Sequence, residues 1–99
     1  MNIQKKQNGT ELTIALSGRL DTNTAPLLER ELAELTHGTI QSLIFDFSAV
    51  EYISSAGLRI LLFAQKTMTK LGSMKVINAN SQIMEVFDIT GFSDFLTIE

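Results

Sequence analysis

Between Leu43 and Leu71 the spacing of apolar residues changes once, and that change limits what the chain can fold into. Leu43-Ile44-Phe45-Asp46-Phe47 is a short, nearly continuous apolar run, the pattern of a central strand covered on both faces. From Ala56 onward, Ile60, Leu61, Ala64, Met68 and Leu71 recur at helical spacing, with Arg59, Lys66 and Lys70 elsewhere and Gly72 as the stop. A buried strand, a short loop and then a helix opening on Ser54-Ser55 is the expected course of this segment.

The flanking segments extend the pattern. Asn8-Gly9 is a type I′ hairpin signal between Ile3–Gln7 and Glu11–Ser17. Leu12, Ile14 and Leu16 alternate with Thr13, Ala15 and Ser17 as in a strand with one apolar face, and Gly18 is expected to end it. Asp21-Thr22-Asn23-Thr24 supplies turn and capping residues, and Pro26 suits a first helical turn. Ala25, Leu28, Leu32 and Leu35 then follow at helical spacing up to Gly38. Met74–Ile77 reads as a strand, Ser81 as the cap of a helix with Ile83, Val86 and Phe87 inside and Gly91 at its end, and Phe95–Ile98 as a last strand. The order β-β-α-β-α-β-α-β predicts an α/β fold with a mixed, mostly parallel sheet of about five strands and packed helices.

At 99 residues the chain is expected to be one domain, burying somewhat over about 60% of its unfolded surface, enough for a core without staples. It has no cysteine, so disulfides and thiolate metal sites are excluded. A net charge of −3 argues against a nucleic-acid partner, which needs a basic patch. No apolar run reaches the length of a membrane span and Met1–Lys6 lacks the pattern of a signal peptide, so a cytoplasmic location and no membrane partner are expected.

The residues of an enzyme do not assemble. The single histidine, His37, stands beside Gly38 at a helix C-terminus, where the dipole favours a plain surface role. Asp46, Glu51, Glu85 and Asp88 lack metal-ligand spacing. No phosphate-binding G-x-x-x-x-G-K-[ST], G-x-G-x-x-G or G-x-S-x-G occurs. No cofactor is expected. Asp46, inside an apolar run, needs donors and is expected to bond a turn at Ser48–Val50.

Ser54 and Ser55 remain. A helix N-terminus has spare N–H donors and the positive end of the macrodipole, and a capping serine is worth about 1 kcal/mol over alanine. One serine is accounted for by capping a helix that starts near Ala56; a second, followed by Ala56-Gly57, is more than capping requires. A phosphate here would suit the fold and would place new charge on an exposed end of the sheet. Capping alone and a modifiable binding surface both fit the residues.

Val50–Arg59 resembles the phosphorylation-site region of STAS domains of the anti-sigma factor antagonist family. The resemblance spans nearly the whole chain. Gly18-Arg19-Leu20-Asp21 is similar to the family's Gly-x-(Leu/Ile)-Asp, Leu43–Ser48 to its strand ending in Asp-(Leu/Phe)-Ser, and Thr90-Gly91-Phe92 to the glycine that closes its late helix. It implies a STAS-type domain over residues 1–99. The family's phosphoacceptor lies two residues before the glycine, here Ser55, with Ser54 the runner-up. The residue before the acceptor is often Asp in the family; Ser54 removes that charge and adds a competing hydroxyl. Asp21 suits a turn by itself, while the family uses it in partner recognition and phosphotransfer. The implied partner surface is Asp21, Thr22 and Asn23 with Ser54, Ser55, Ala56, Gly57 and Arg59.

The resemblance further implies partner switching in bacterial transcription control by a protein that is not an enzyme. The unphosphorylated form would bind an anti-sigma factor, itself a serine kinase of the histidine-kinase-like ATPase type, and free the sigma factor. Phosphorylation would break the complex, and a metal-dependent PP2C-type phosphatase would reset it. Two alternatives stay open: a scaffold or regulator of the same fold that is never phosphorylated, and a small-nucleotide-binding module using the helix-end glycines.

Overall fold

A hairpin opens the chain. In the computed structural model, which describes residues 1–99 apart from the side chains of Thr36 and His37, β1 (Asn2–Asn8) pairs antiparallel with β2 (Glu11–Leu20). The surface role expected of His37 therefore lies outside the described residues. The turn is not the expected type I′. Asn8 remains in the last strand pair, opposite Glu11, so the turn moves on to Gly9-Thr10. Only Gly9 there has positive φ, +64°, the glycine-first pattern of a II′ turn.

After β2 come helix α1 (Ala25–Leu32), which tightens into a 3-10 turn over Ala33–His37, β3 (Ser42–Ile53), α2 (Ser55–Leu71), β4 (Ser73–Ile77) and α3 (Ser81–Thr90). A second 3-10 turn covers Phe92–Asp94. The strands lie in the order β1-β2-β3-β4, with β3 parallel to both β2 and β4. Right-handed crossovers that step in one direction place α1 and α2 on one face of the sheet.

That arrangement corrects the reading of β3 as covered on both faces. Leu43, Phe45 and Phe47 are fully buried against the helices, whereas Ser42, Ile44 and Asp46 on the opposite side are only half-buried. The core joins these residues to Ile14, Leu16 and Leu20 of β2, Leu28 and Leu32 of α1, Leu61, Ala64 and Met68 of α2, Val76 of β4, and Ile83 and Phe87 of α3. Phe47 links the layers, with its ring 6.3 Å from Phe45 on its own strand and 6.3 Å from Phe87 on α3.

Two strands run past their expected ends. Gly18, at φ +93°, does not terminate β2 but sits at a register shift, and pairing continues to Leu20. The loop and turn expected after Phe47 are instead part of β3, which continues to Ile53. Two irregularities against β2, between Ala15 and Ser17 and between Gly18 and Arg19, take up the extra β3 residues and keep the strands paired.

The sheet has four strands, not about five. Of Phe95–Ile98 only Ile98 forms a bridge, to Val76. The Val76 N–H donates to the Thr97 carbonyl at 2.9 Å and the Glu99 N–H to the Val76 carbonyl at 2.9 Å. The 3-10 turn holds Phe95 back: Phe92 and Phe95 have ring centroids 4.6 Å apart, and the Leu96 N–H donates to the Phe92 carbonyl at 2.9 Å. At the start of α3 the cap is Asn80, not Ser81; its Oδ1 accepts from the Ile83 N–H at 2.9 Å and its Nδ2 donates to the Val50 carbonyl at 3.1 Å. Leu71, expected inside, is 38% exposed on the last turn of α2.

Replacing Phe47 with alanine should lower stability by about 3–5 kcal/mol, much of what a domain of this size has. Urea unfolding followed by circular dichroism measures the loss; a loss under about 1 kcal/mol would contradict the packing described.

Candidate functional site

The parallel register brings the two expected segments together. Leu20 and Ile53 form the last pair of β2 and β3, so Asp21 and Ser54 leave the same end of the sheet side by side. The Ser54 N–H extends the pairing by donating to the Leu20 carbonyl at 2.9 Å. This end carries the carboxyl termini of the parallel strands, where open α/β sheets place their binding sites.

Gly57 makes the junction possible. A methyl group there would stand 2.8 Å from Leu20 Cγ, 2.8 Å from Ile53 Cγ1 and 2.9 Å from the Leu20 carbonyl oxygen. With no side chain, the first turn of α2 packs directly over the ends of both strands.

The two serines have different surroundings. Ser54 is the N-cap, half-buried and extended at φ −100° and ψ 177°, and its Oγ accepts from the Gly57 N–H at 3.4 Å. Ser55 is the first helical residue and is exposed, and among the described residues its hydroxyl has no hydrogen-bond partner. Helix geometry places Arg59 one turn on from Ser55, and it too is exposed.

Asp21 organises the neighbouring loop. Its Oδ1 accepts from the Asn23 N–H at 3.0 Å and the Thr24 N–H at 3.1 Å, and lies 3.2 Å from the Thr24 hydroxyl oxygen. Thr24 does not cap α1 with its side chain; it takes the Asp21 N–H at 2.9 Å and donates to the Arg19 carbonyl at 2.7 Å. Desolvation pushes the Asp21 carboxyl up, but the Thr24 and Asn23 N–H groups, the Thr24 hydroxyl and the Arg19 charge outweigh it and hold its pKa below the ordinary value. Thr22 and Asn23 are exposed at the rim.

Sequence reasoning passed over a neighbouring pair. Arg19 and Tyr52 are register partners, and the guanidinium carbon lies 4.1 Å from the ring centroid. The Arg19 Nε is also 3.6 Å from Asp21 Oδ2. Tyr52, 41% exposed, thus extends the Asp21 rim with an aromatic face. Following β3 at a period of two through Ile53 would have found it.

Asp46 lies apart from this site. Its Oδ1 accepts from the Ser48 N–H at 3.0 Å, as anticipated, within a strand and not a turn, and from Asn78 Nδ2 at 3.3 Å. The Ser48 N–H, helped by Asn78 and against desolvation, holds its pKa below the ordinary value. Among the described residues no group of three or more acidic or histidine side chains is placed to hold a metal, and no helix is long and apolar enough to cross a membrane. A surface groove of about 490 Å³ between Lys5, Glu31, Leu35 and Ile40 shares no residue with the serine site.

Exchanging Ser54 for alanine should cost about 1 kcal/mol and the same change at Ser55 under about 0.5 kcal/mol, because only Ser54 caps. Chemical denaturation of both variants checks this; equal losses would refute the difference. The lowered pKa of Asp46 means that its ionised form stabilises the fold above the ordinary carboxylate value of about 3.9, and that this is lost as pH falls through the lower folded value. Thermal melts from pH 6 to 3 should therefore fall more steeply for the unmodified protein than for Asp46→Asn.

The STAS domain model matches residues 2–99. The chain is 30% identical over 99 residues to an anti-sigma-B factor antagonist of Bacillus subtilis (strain 168), covering 99% of this chain and 90% of that protein. It superposes with a TM-score of 0.88 on an anti-sigma factor antagonist from Mycobacterium paratuberculosis, 24% identical, over 98% of this chain and 83% of the other. It does so at 0.79 on the phosphorylated form of the Bacillus cell fate determinant SpoIIAA, 17% identical, over 99% and 91% of the two chains. The fold, the serine motif and these likenesses converge: this chain belongs to the STAS domain family.

Proposed function

We propose that this protein is an anti-sigma factor antagonist: a regulatory binding protein, not an enzyme, that acts in the cytoplasm by partner switching. Its unphosphorylated form binds an anti-sigma factor that is also a serine kinase of the histidine-kinase-like ATPase type, releasing the sigma factor. Phosphorylation of Ser55 ends that binding, and a PP2C-type phosphatase restores it. The similarity to a protein named for antagonising an anti-sigma factor supports the class of function.

The observation that carries the choice of residue is the division of labour between the serines. Ser54 is occupied with capping, whereas Ser55 is exposed with an uncommitted hydroxyl at the positive end of a 17-residue helix. A phosphate there gains backbone donors and about −1.5 to −2 charges without disturbing the core. The contact surface is Asp21, Thr22 and Asn23 with Ser54, Ser55, Ala56 and Arg59, while Gly57, expected in it, is buried and serves by seating the helix on the strand ends. Asp21 acts in it chiefly by shaping the loop that presents Thr22 and Asn23, because the Asn23 and Thr24 N–H groups already occupy its Oδ1.

The test is to incubate the protein with its cognate kinase and ATP and locate the phosphate by mass spectrometry. Phosphate should appear on Ser55, and Ser55→Ala should bind the kinase yet resist modification. Ser55→Asp should fold normally and bind less tightly, since one carboxylate supplies part of the phosphate's charge. Phosphate on Ser54 with Ser55→Ala still a full substrate would overturn the assignment; unchanged kinase affinity after phosphorylation would overturn the switch.

A further inference from the structure

Helix α2 contains no carboxylate, although the chain has 11 acidic and 8 basic residues. Arg59, Lys66 and Lys70 give the helix +3; taking this from the chain's −3 leaves −6 on the remainder. With 3.6 residues per turn, Arg59, Phe63, Lys66 and Lys70 fall within an arc of about 60°, and all four are exposed. Among the described residues the ion pairs join Lys5 to Glu31, Arg19 to Asp21 and Lys75 to Glu99, so none uses a cation of α2. Lys70, in the last turn, suits the helix dipole, but Arg59 near the positive end does not, so the dipole does not account for the stripe. The stripe also has apolar footing. Phe63 is 45% exposed and Leu71 38%, and they line a groove of about 320 Å³ with Lys66, Thr67 and Lys70.

We propose that this outward stripe of α2 is a docking surface for an acidic, amphipathic helical segment of a partner protein. Carboxylates of that segment would pair with Arg59, Lys66 and Lys70 while an apolar side chain sits against Phe63 and Leu71. The distance from Arg59 to Lys70, 11 residues at 1.5 Å each or about 16 Å, matches about three turns of such a helix. A positive stripe on an otherwise negative molecule also selects against basic partners, which the rest of the surface would attract. The surface does not depend on phosphorylation. It does run on from Ser55, one turn before Arg59, so a phosphate there would compete for Arg59 and repel the acidic segment.

The experiment titrates the full isotope-labelled chain with a synthetic helical peptide of about four turns bearing Glu and Leu on one face, and with its counterpart bearing Lys for Glu. The acidic peptide should shift the amides of Arg59–Leu71, weaken with added salt, and lose about tenfold or more in affinity to the Lys66→Glu, Lys70→Glu double variant, whose thermal melt checks that it is folded. The lysine peptide should not bind there. The inference is overturned by absence of shifts, by shifts away from α2, or by equal binding of both peptides. It is also overturned if anionic phosphatidylglycerol vesicles bind the stripe and the acidic peptide does not displace them. Sedimentation showing that a second copy occupies α2 through the acidic, apolar face of Glu85, Asp88 and Ile89 would overturn it as well. Because Lys66 and Lys70 lie outside the proposed serine site, phosphorylation of Ser55 in the double variant separates failure of this inference from failure of that one.

Discussion

Leu20 and Ile53 end two parallel strands at the same level, and Gly57 lays the first turn of α2 across them. Each part of the candidate site depends on that contact. The Leu20 carbonyl receives the Ser54 N–H, which sets the cap; the cap sets where the helix begins; the start of the helix decides which serine is exposed. The same Leu20 is followed by Asp21, whose carboxylate folds its own loop and turns Thr22 and Asn23 outward beside the helix. A side chain at Gly57 would separate the helix from both strands and dismantle the loop and the cap together.

The chemistry left exposed at this end is suited to recognition. The hydroxyl of Ser55 is exposed, the Asp21 carboxylate is engaged by its own loop, and Arg19 is divided between Asp21 and the ring of Tyr52. What remains is a rim of small polar groups, one exposed aromatic ring and the positive end of a helix whose charged residues are all cationic. Such a surface is sensitive to the addition of a dianion, because helix end and stripe carry the same sign and lie on one element.

Much of this was legible because it is written in local chemistry. Period-two and helical spacings located both hairpin strands, β4, all three helices and the stops at Gly72 and Gly91. The serine pair stood out because two good caps in succession exceed what one helix end uses. The errors fell where a non-local contact decides. β3 was cut short at Phe47 because Ser48 and Ala49 read as loop, yet the register irregularities with β2 carry the strand on to Ile53. Phe95–Ile98 has strand composition, but the 3-10 turn and the contact between the tilted Phe92 and Phe95 rings leave only Ile98 to bridge β4. Asn80 took the cap from Ser81 because its other side-chain atom reaches the Val50 carbonyl across the fold.

The sequence alone determined the element types from the first strand to the last helix, the buried face of β2 and of the helices, the absence of thiol chemistry and the two short motifs, since these follow from side-chain type and spacing along the chain. Tertiary structure decided that the motifs meet, that Ser54 is spent on the helix while Ser55 faces solvent, and that one helix concentrates three cations on its outer face. Each of these depends on the register between strands far apart in the chain, which is set by packing and hydrogen bonding between them and leaves no local mark.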